Sequence, residues 1–216
     1  MMEFPWSDLL ARPFFTVYVP FHSESYADAA RRALGSLDDQ FFQSFETIIV
    51  VNGTHIPHWC MPVSFLSDTR AAFGKRVIAG RFHTLGASSN AALALAAGRW
   101  ILRLDADDAM KPDALAEYVR SIVGSRLLDE NFVVAGHWDD TMELYGSGLA
   151  IRTDWLRSIG GYDQDRPLGD GRYIMEQLEK IYREAARNRI LRTSYKVYSY
   201  NKHLSSMSKP SNEDEE

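Results

Sequence analysis

Three carboxylates, Asp105, Asp107 and Asp108, crowd into four residues of this 216-residue chain. They follow directly on Trp100, Ile101, Leu102 and Leu104, a short apolar run of strand type. Acids this close repel one another unless a cation or hydrogen-bond donors compensate. Oxygen-only ligands suit a hard divalent ion, Mn2+ or Mg2+, usually shared with substrate phosphates. At the carboxyl end of a central strand they would face the edge at which open α/β sheets bind ligands. Pro112 stands where a helix could begin, so capping that helix is the other employment open to these acids, above all to Asp108.

The elements that must position them alternate between strand and helix. Phe14 to Val19 reads as a first buried strand stopped by Pro20. Ser25 can cap a helix from Tyr26 to Leu37, with Ala29, Ala30, Ala33, Leu34 and Leu37 on one face. Thr47 to Val51 is a second strand, ended by the turn signal Asn52-Gly53, and Val77 to Phe82 is a third. Gly86 to Ala97 is a helix of small residues that can lie close on a sheet, stopped by Gly98. Beyond the acidic strand come a helix from Pro112 to Leu128, with Leu115, Tyr118, Val119 and Ile122 inward, and a strand from Phe132 to Ala135. A second strand spans Leu144 to Ile151, broken by Gly146 and Gly148, and a short helix spans Asp154 to Ile159. A long helix from Asp170 to Asn188 turns Ile174, Leu178 and Ile181 inward, and Leu191 to Tyr200 is a last strand. The expected fold class is α/β, a Rossmann-like mixed sheet with helices on both faces.

The totals narrow the function. A hydrophobic share of 45% and a charged share of 25% give a globule with a real core. A net charge of −5 leaves no basic footprint, so no nucleic acid partner is expected. The one cysteine, Cys60, excludes an internal disulfide. With His55 and His58 it makes three zinc candidates without a fourth, so that stretch reads as an ordinary loop. No apolar run approaches a transmembrane span, and the acidic start MMEFPWSDLL is no signal peptide. The expectation is a cytoplasmic enzyme for which peripheral membrane contact stays open. No Gly-x-Gly-x-x-Gly follows the first strand, against a dinucleotide site. A calcium loop begun at Asp105 would need Gly at Met110 and Glu at Ala116.

Four pieces in order resemble the family 2 glycosyltransferases, and the resemblance covers nearly all of residues 13–205. They are VYVPFHSES, ETIIVVNGT, GASSNAALALAAGRWILRLDADD and GSGLAIRTDWLRSIGGYD. The third carries a DXD motif and the fourth a Gly-Gly-Tyr-Asp loop. The resemblance implies the GT-A fold, in one domain over residues 1–208. A nucleotide-sugar-binding half would span 13–110 and an acceptor-binding half 111–208, with 209–216 an acidic disordered tail. It implies a metal-dependent inverting transferase that uses Mn2+ or Mg2+. The donor would be a nucleotide-diphosphate-sugar, UDP-sugar favoured, and the acceptor a carbohydrate or lipid-linked hydroxyl. A nucleotide-sugar-binding module without turnover is the alternative.

Carried over residue by residue, Asp107 would ligate the metal, Asp105 would help hold ribose or metal, and His203 could approach the metal or the diphosphate. Pro20, Glu24, Asn52 and Asn90 would line the donor. Asn52 stands where the family usually has an acid, an amide that hydrogen-bonds without charge. Asp170 matches the base that takes the acceptor proton, with Gly169 in place of the usual Glu. It is equally an N-cap for the long helix. Asp139, Asp140 and Glu176 stand in reserve. Trp138, Tyr145, Trp155 and Tyr162 divide between core packing and sugar stacking.

Overall fold

The computed structural model describes residues 11–22, 26–57, 72–125, 133–136, 146–166 and 170–199. Four strands run parallel: β1 (Phe15–Phe21), β2 (Phe45–Asn52), β3 (Lys75–Gly80) and β4 (Trp100–Arg103). β5 (Ala109–Met110) is a two-residue strand outside the main sheet. β6 (Val133–Ala135), β7 (Leu149–Arg152) and β8 (Ile190–Arg192) complete a seven-stranded sheet of order β3-β2-β1-β4-β7-β6-β8. β7 is antiparallel to both its neighbours, β4 and β6.

Strand alternation decides which helices cover which face. Val17, Val19, Ile49, Val51, Trp100 and Leu102 face α1 (Ala27–Asp38) and α3 (Ala114–Gly124). Tyr18, Ile48, Val50 and Ile101 face α2 (Leu85–Leu95), α4 (Thr153–Ser158) and α5 (Asp170–Tyr182). With both faces buried, β1, β2 and β4 read as continuous apolar runs.

Several expected boundaries move. β1 does not stop at Pro20 but runs through it to Phe21. The carbonyl of Tyr18 accepts from Leu104 N at 3.0 Å, the last bond of the β1–β4 ladder. Pro20 has the same parity, so its missing N–H faces the side where that ladder has ended and breaks no pairing. β3 ends at Gly80, before Phe82. The helix expected from Pro112 to Leu128 starts only at Ala114, after a turn closed by Ala114 N to Lys111 O at 3.0 Å, and stops at Gly124. Gly146 and Gly148 precede β7 rather than interrupt it. The long α-helix ends at Tyr182, because Arg183 takes a left-handed φ of 50°, and a 3-10 helix over Arg183–Arg189 follows. Ile181 is exposed, not inward.

The largest correction concerns Leu191 to Tyr200, expected as one strand. It is two: β8 in the main sheet and β9 (Tyr198–Ser199), which pairs with β5 in a separate ribbon. Thr193 starts the break, its hydroxyl bonding Tyr195 O at 2.6 Å in a local turn.

Candidate active site

The carboxyl edge of β2, β1 and β4 brings the chemistry-bearing loops together. The β1–β2 ladder ends with Phe21 beside Val51, next to Asn52. The β1–β4 ladder ends with Tyr18 beside Arg103, and two residues further along lie Pro20 and Asp105. Beyond β4 the chain makes a tight turn in which Asp108 N–H donates to Asp105 O at 3.1 Å. Asp105 is the first residue of that turn, a position an aspartate favours, and Asp107 sits at its second corner.

Asp105 is not bare. Asp105 follows two residues after Arg103, the last residue of β4, and their side chains meet. Arg103 Nε lies 2.8 Å from Asp105 Oδ1, with Arg103 almost wholly buried and Asp105 partly exposed. Gly146 covers the guanidinium so closely that a Cβ there would lie 2.7 Å from Arg103 Nη2. The opposing register supplies the next partner: Gly148 N bonds Arg103 O at 3.0 Å, which brings Ser147 up to Asp105.

A buried polar cluster lies behind the turn. The Asp105 backbone N–H points at both Ser147 Oγ and Tyr198 Oη, each at 3.0 Å. Tyr198 donates its proton to Asp108 Oδ2 at 2.9 Å and touches Ser147 Oγ. Burial, then the charges of Asp105 and Asp108, push the Tyr198 hydroxyl well above its ordinary range, so it remains a donor. Asp108 is therefore an inward acceptor and does not cap α3. The N-cap residue of α3 is Asp113, whose side chain instead accepts from Tyr195 Oη.

A divalent ion needs several oxygen ligands. Among the described residues no three His, Cys, Asp or Glu side chains gather closely enough to hold one. The donor set fits the shared arrangement, in which the protein offers one or two carboxylates and a diphosphate offers the rest. Asp107 and Asp105 are two half-buried carboxylates on one turn, with the charge of Asp105 already balanced by Arg103.

Two of the expected donor contacts have other work. Asn52 Nδ2 donates to Phe82 O at 2.8 Å and its Oδ1 accepts from Phe82 N at 2.9 Å. The amide thus acts as one more rung of the β2–β3 ladder. Asn90 does the same with Tyr162, at 2.8 Å in both directions. Its partner is the Gly-Gly-Tyr-Asp loop, where Gly161 (φ 85°) packs so closely that a Cβ there would lie 2.4 Å from Asn90 Oδ1. Asn90 is thus a latch between α2 and that loop. Thr84 Oγ1 adds a bond to Gln164 O at 2.7 Å.

Asp170 is the first residue of α5. Glu176, of the reserve, is held by Arg166 at both oxygens, at 3.2 and 2.8 Å, and that hydrogen bonding keeps its carboxyl below the usual range. Trp155 and Tyr162 are core residues under the sheet. Glu24, Asp139, Asp140, Trp138, Tyr145, His58, Cys60, Gly169, His203, the tail 209–216 and the side chain of Asp170 lie outside the described residues. Among the described residues no helix is long and apolar enough to cross a membrane.

Arg103, Ser147 and Tyr198 are the site residues that sequence reasoning passed over. For Arg103 there was a signal, a charged residue inside a buried strand two positions from an acid. Tyr198, 93 positions from Asp105, had none.

Comparison with known proteins agrees with this fold. The chain is similar to the crystal structure of S. aureus TarS 1-349 in complex with UDP-GlcNAc, at 16% identity and a TM-score of 0.64 over 89% of this chain and 59% of that one. It is also similar to the mannosyltransferase PcManGT from Pyrobaculum calidifontis in complex with GDP-Man and Mn2+, at 17% identity and a TM-score of 0.63 over 85% and 57%. The chain thus spans under two thirds of the length of these structures, and it shares their GT-A fold. No curated protein sequence matches it. The family profile described as "Glycosyl transferase family 2" matches residues 16–128, just over half of the chain and the whole run from β1 through α3. The chain belongs to glycosyl transferase family 2.

Proposed function

We propose that this chain transfers a sugar, with inversion, from a nucleotide-diphosphate-sugar to a hydroxyl of a carbohydrate or lipid-linked acceptor, in the presence of Mn2+ or Mg2+. The observation that carries this reading is the turn Asp105–Asp108 at the carboxyl edge of β4, with one carboxylate balanced by Arg103 and a second at the turn's corner. The relatives named above bind UDP-GlcNAc in one case and GDP-Man with Mn2+ in the other, which supports a nucleotide-sugar donor.

Asp107 would hold the metal with the donor's diphosphate, Asp105 would contribute from the same turn, and His203 would approach from the chain's end. A bound divalent ion would offset the negative charge that builds on the departing nucleoside diphosphate. Pro20, Glu24 and Asn52 would border the nucleotide, Asn52 through the edge it braces. Asp170 would take the proton of the acceptor hydroxyl as that oxygen attacks the anomeric carbon and the nucleoside diphosphate leaves.

Calorimetric titration of UDP and of GDP, with Mn2+ and with EDTA, tests the donor side. Micromolar binding that requires metal and disappears in Asp107→Ala is the expected result. No binding of either nucleotide by folded protein with metal present overturns the donor assignment. Gly169 and Asn52, each standing where the family usually has an acid, favour a second reading, a binding module without turnover. Asp170→Asn separates the two. A transferase loses turnover and keeps donor affinity, whereas a module has no turnover to lose.

A further inference from the structure

The turn Asp105–Asp108 is tied from behind by residues that arrive from far along the chain. Tyr198 Oη accepts from Asp105 N–H at 3.0 Å and donates to Asp108 Oδ2 at 2.9 Å, so one phenol oxygen joins both ends of the turn. Ser147 Oγ shares the Asp105 N–H at 3.0 Å and touches the same phenol. The ring itself is held independently of its hydroxyl. β9 pairs Tyr198 with Met110 and Ser199 with Ala109, the residues that leave the turn. Lys111 N bonds Val197 O at 3.0 Å, Val197 N bonds Gly136 O at 3.1 Å, and Ser194 N bonds Glu117 Oε1 at 2.9 Å. The strap Thr193–Ser199 is thus anchored along its length by backbone bonds, and the Tyr198 hydroxyl serves the turn.

We propose that Tyr198 and Ser147 are positioning residues that hold the turn in the shape in which Asp107 meets the donor's diphosphate, so that the strap sets the donor site from the other half of the chain. This rests on the donor reading above. A buried phenol whose hydroxyl were needed only for burial would be replaced by phenylalanine with no effect at the turn. Here the loss of the hydroxyl removes the 2.9 Å donor to Asp108 Oδ2, leaving Ser147 Oγ at 3.5 Å, and takes one of two acceptors from Asp105 N–H.

The test is backbone amide hydrogen exchange on full-length Tyr198→Phe and Ser147→Ala, together with UDP and GDP titrations in Mn2+ and in EDTA. Exchange at Asp105 and Asp108 should rise on the order of tenfold in Tyr198→Phe while Ile101 and Leu102 in β4 keep their rates. The metal-dependent part of nucleotide affinity should fall on the order of tenfold, and affinity in EDTA should not move. Unchanged exchange at the turn overturns the proposal. So does a rise spread evenly over β4, which a merely structural role would give, or a local rise with unaltered affinity. The exchange arm needs no nucleotide. If the wild type binds neither UDP nor GDP, the donor reading fails, and exchange alone still decides whether the tether exists. Should Tyr198→Phe not fold, Ser147→Ala decides in the same measurements.

Discussion

Arg103 Nε stands 2.8 Å from Asp105 Oδ1, so the first acid of the motif carries its own counter-charge within the strand that delivers it. A turn with three carboxylates is thereby stable before any ligand arrives. Arg103→Ala should remove a nearly buried partner and cost about 2 kcal/mol of stability, less than a fully buried pair because Asp105 is partly exposed. Mn2+ should then raise the melting temperature of the variant more than that of the wild type, since the cation substitutes for the guanidinium. Equal metal-induced shifts in both proteins, read by differential scanning calorimetry, would show that Arg103 and the metal do not share Asp105.

Asp107 occupies the corner of the same turn, two residues past the acid that Arg103 balances. Asp107→Ala should lower turnover by roughly 10²- to 10³-fold, the scale of losing one charge-stabilising contact in a transition state. Melting should barely change, because the residue is only half-buried. Steady-state rates with saturating Mn2+ and a melting curve settle both halves of this expectation.

The Asn90 latch should be a matter of stability and of loop position together. Asn90→Ala leaves the backbone N–H and C=O of Tyr162 without their 2.8 Å partners, at a cost of about 2 kcal/mol. Gly161→Ala should cost a similar amount, roughly 2 kcal/mol, since it forces a side chain into a left-handed φ against Asn90. The two changes remove one contact, so urea denaturation of the double variant should give less than the sum of the single losses. Full additivity would mean that the latch is not a unit.

At the opposite edge of the sheet, Glu46 is a buried carboxylate with three partners. It accepts from Thr16 Oγ1 at 2.6 Å and Ala97 N at 2.7 Å, and pairs with Arg76 at 2.5 Å. Glu46→Ala should cost roughly 3 kcal/mol of stability. Because the group lies at the amino end of β2, nucleotide affinity at a temperature where the variant is folded should be unchanged. A parallel loss of affinity would contradict the separation of the two edges.

Alkaline stability should report on Tyr195. Its hydrogen bond to Asp113, with burial, raises its pKa from 10.0 up to about 12. A raised value means that the contribution is complete below the unfolded value and is lost as pH climbs through the folded one. Unfolding free energy should therefore drop more steeply for the wild type than for Tyr195→Phe between about pH 10 and 12. Matching slopes in urea titrations across that window would remove Tyr195 from the account.

The parallel half of the fold was legible in the sequence for a physical reason. Strands buried on both faces must be apolar throughout, so β1, β2 and β4 stand out as runs such as TIIVV and WIL. The acid turn was legible as a cluster because three carboxylates in four residues need compensating charge or donors, which Arg103 and Tyr198 supply. The bracing role of Asn52 and Asn90 was not legible, since an amide that completes a backbone ladder has the same composition as one that binds a ligand. β5 and β9 escaped because two-residue strands have no period to detect. Their pairing is fixed by the turn at Thr193, which a string of Thr-Ser-Tyr-Lys does not announce.

The tie between Tyr198 and Asp108 also has a direction in time. During synthesis β1 through α3 emerge long before the strap, and a contact across 90 positions must wait for the chain to close a large loop. The segment that matches the family profile ends at residue 128, ahead of both Ser147 and Tyr198. The nascent half therefore carries the recognisable pattern while its acid turn is still unfinished. The shape of the turn is thus settled only after the strap has been made.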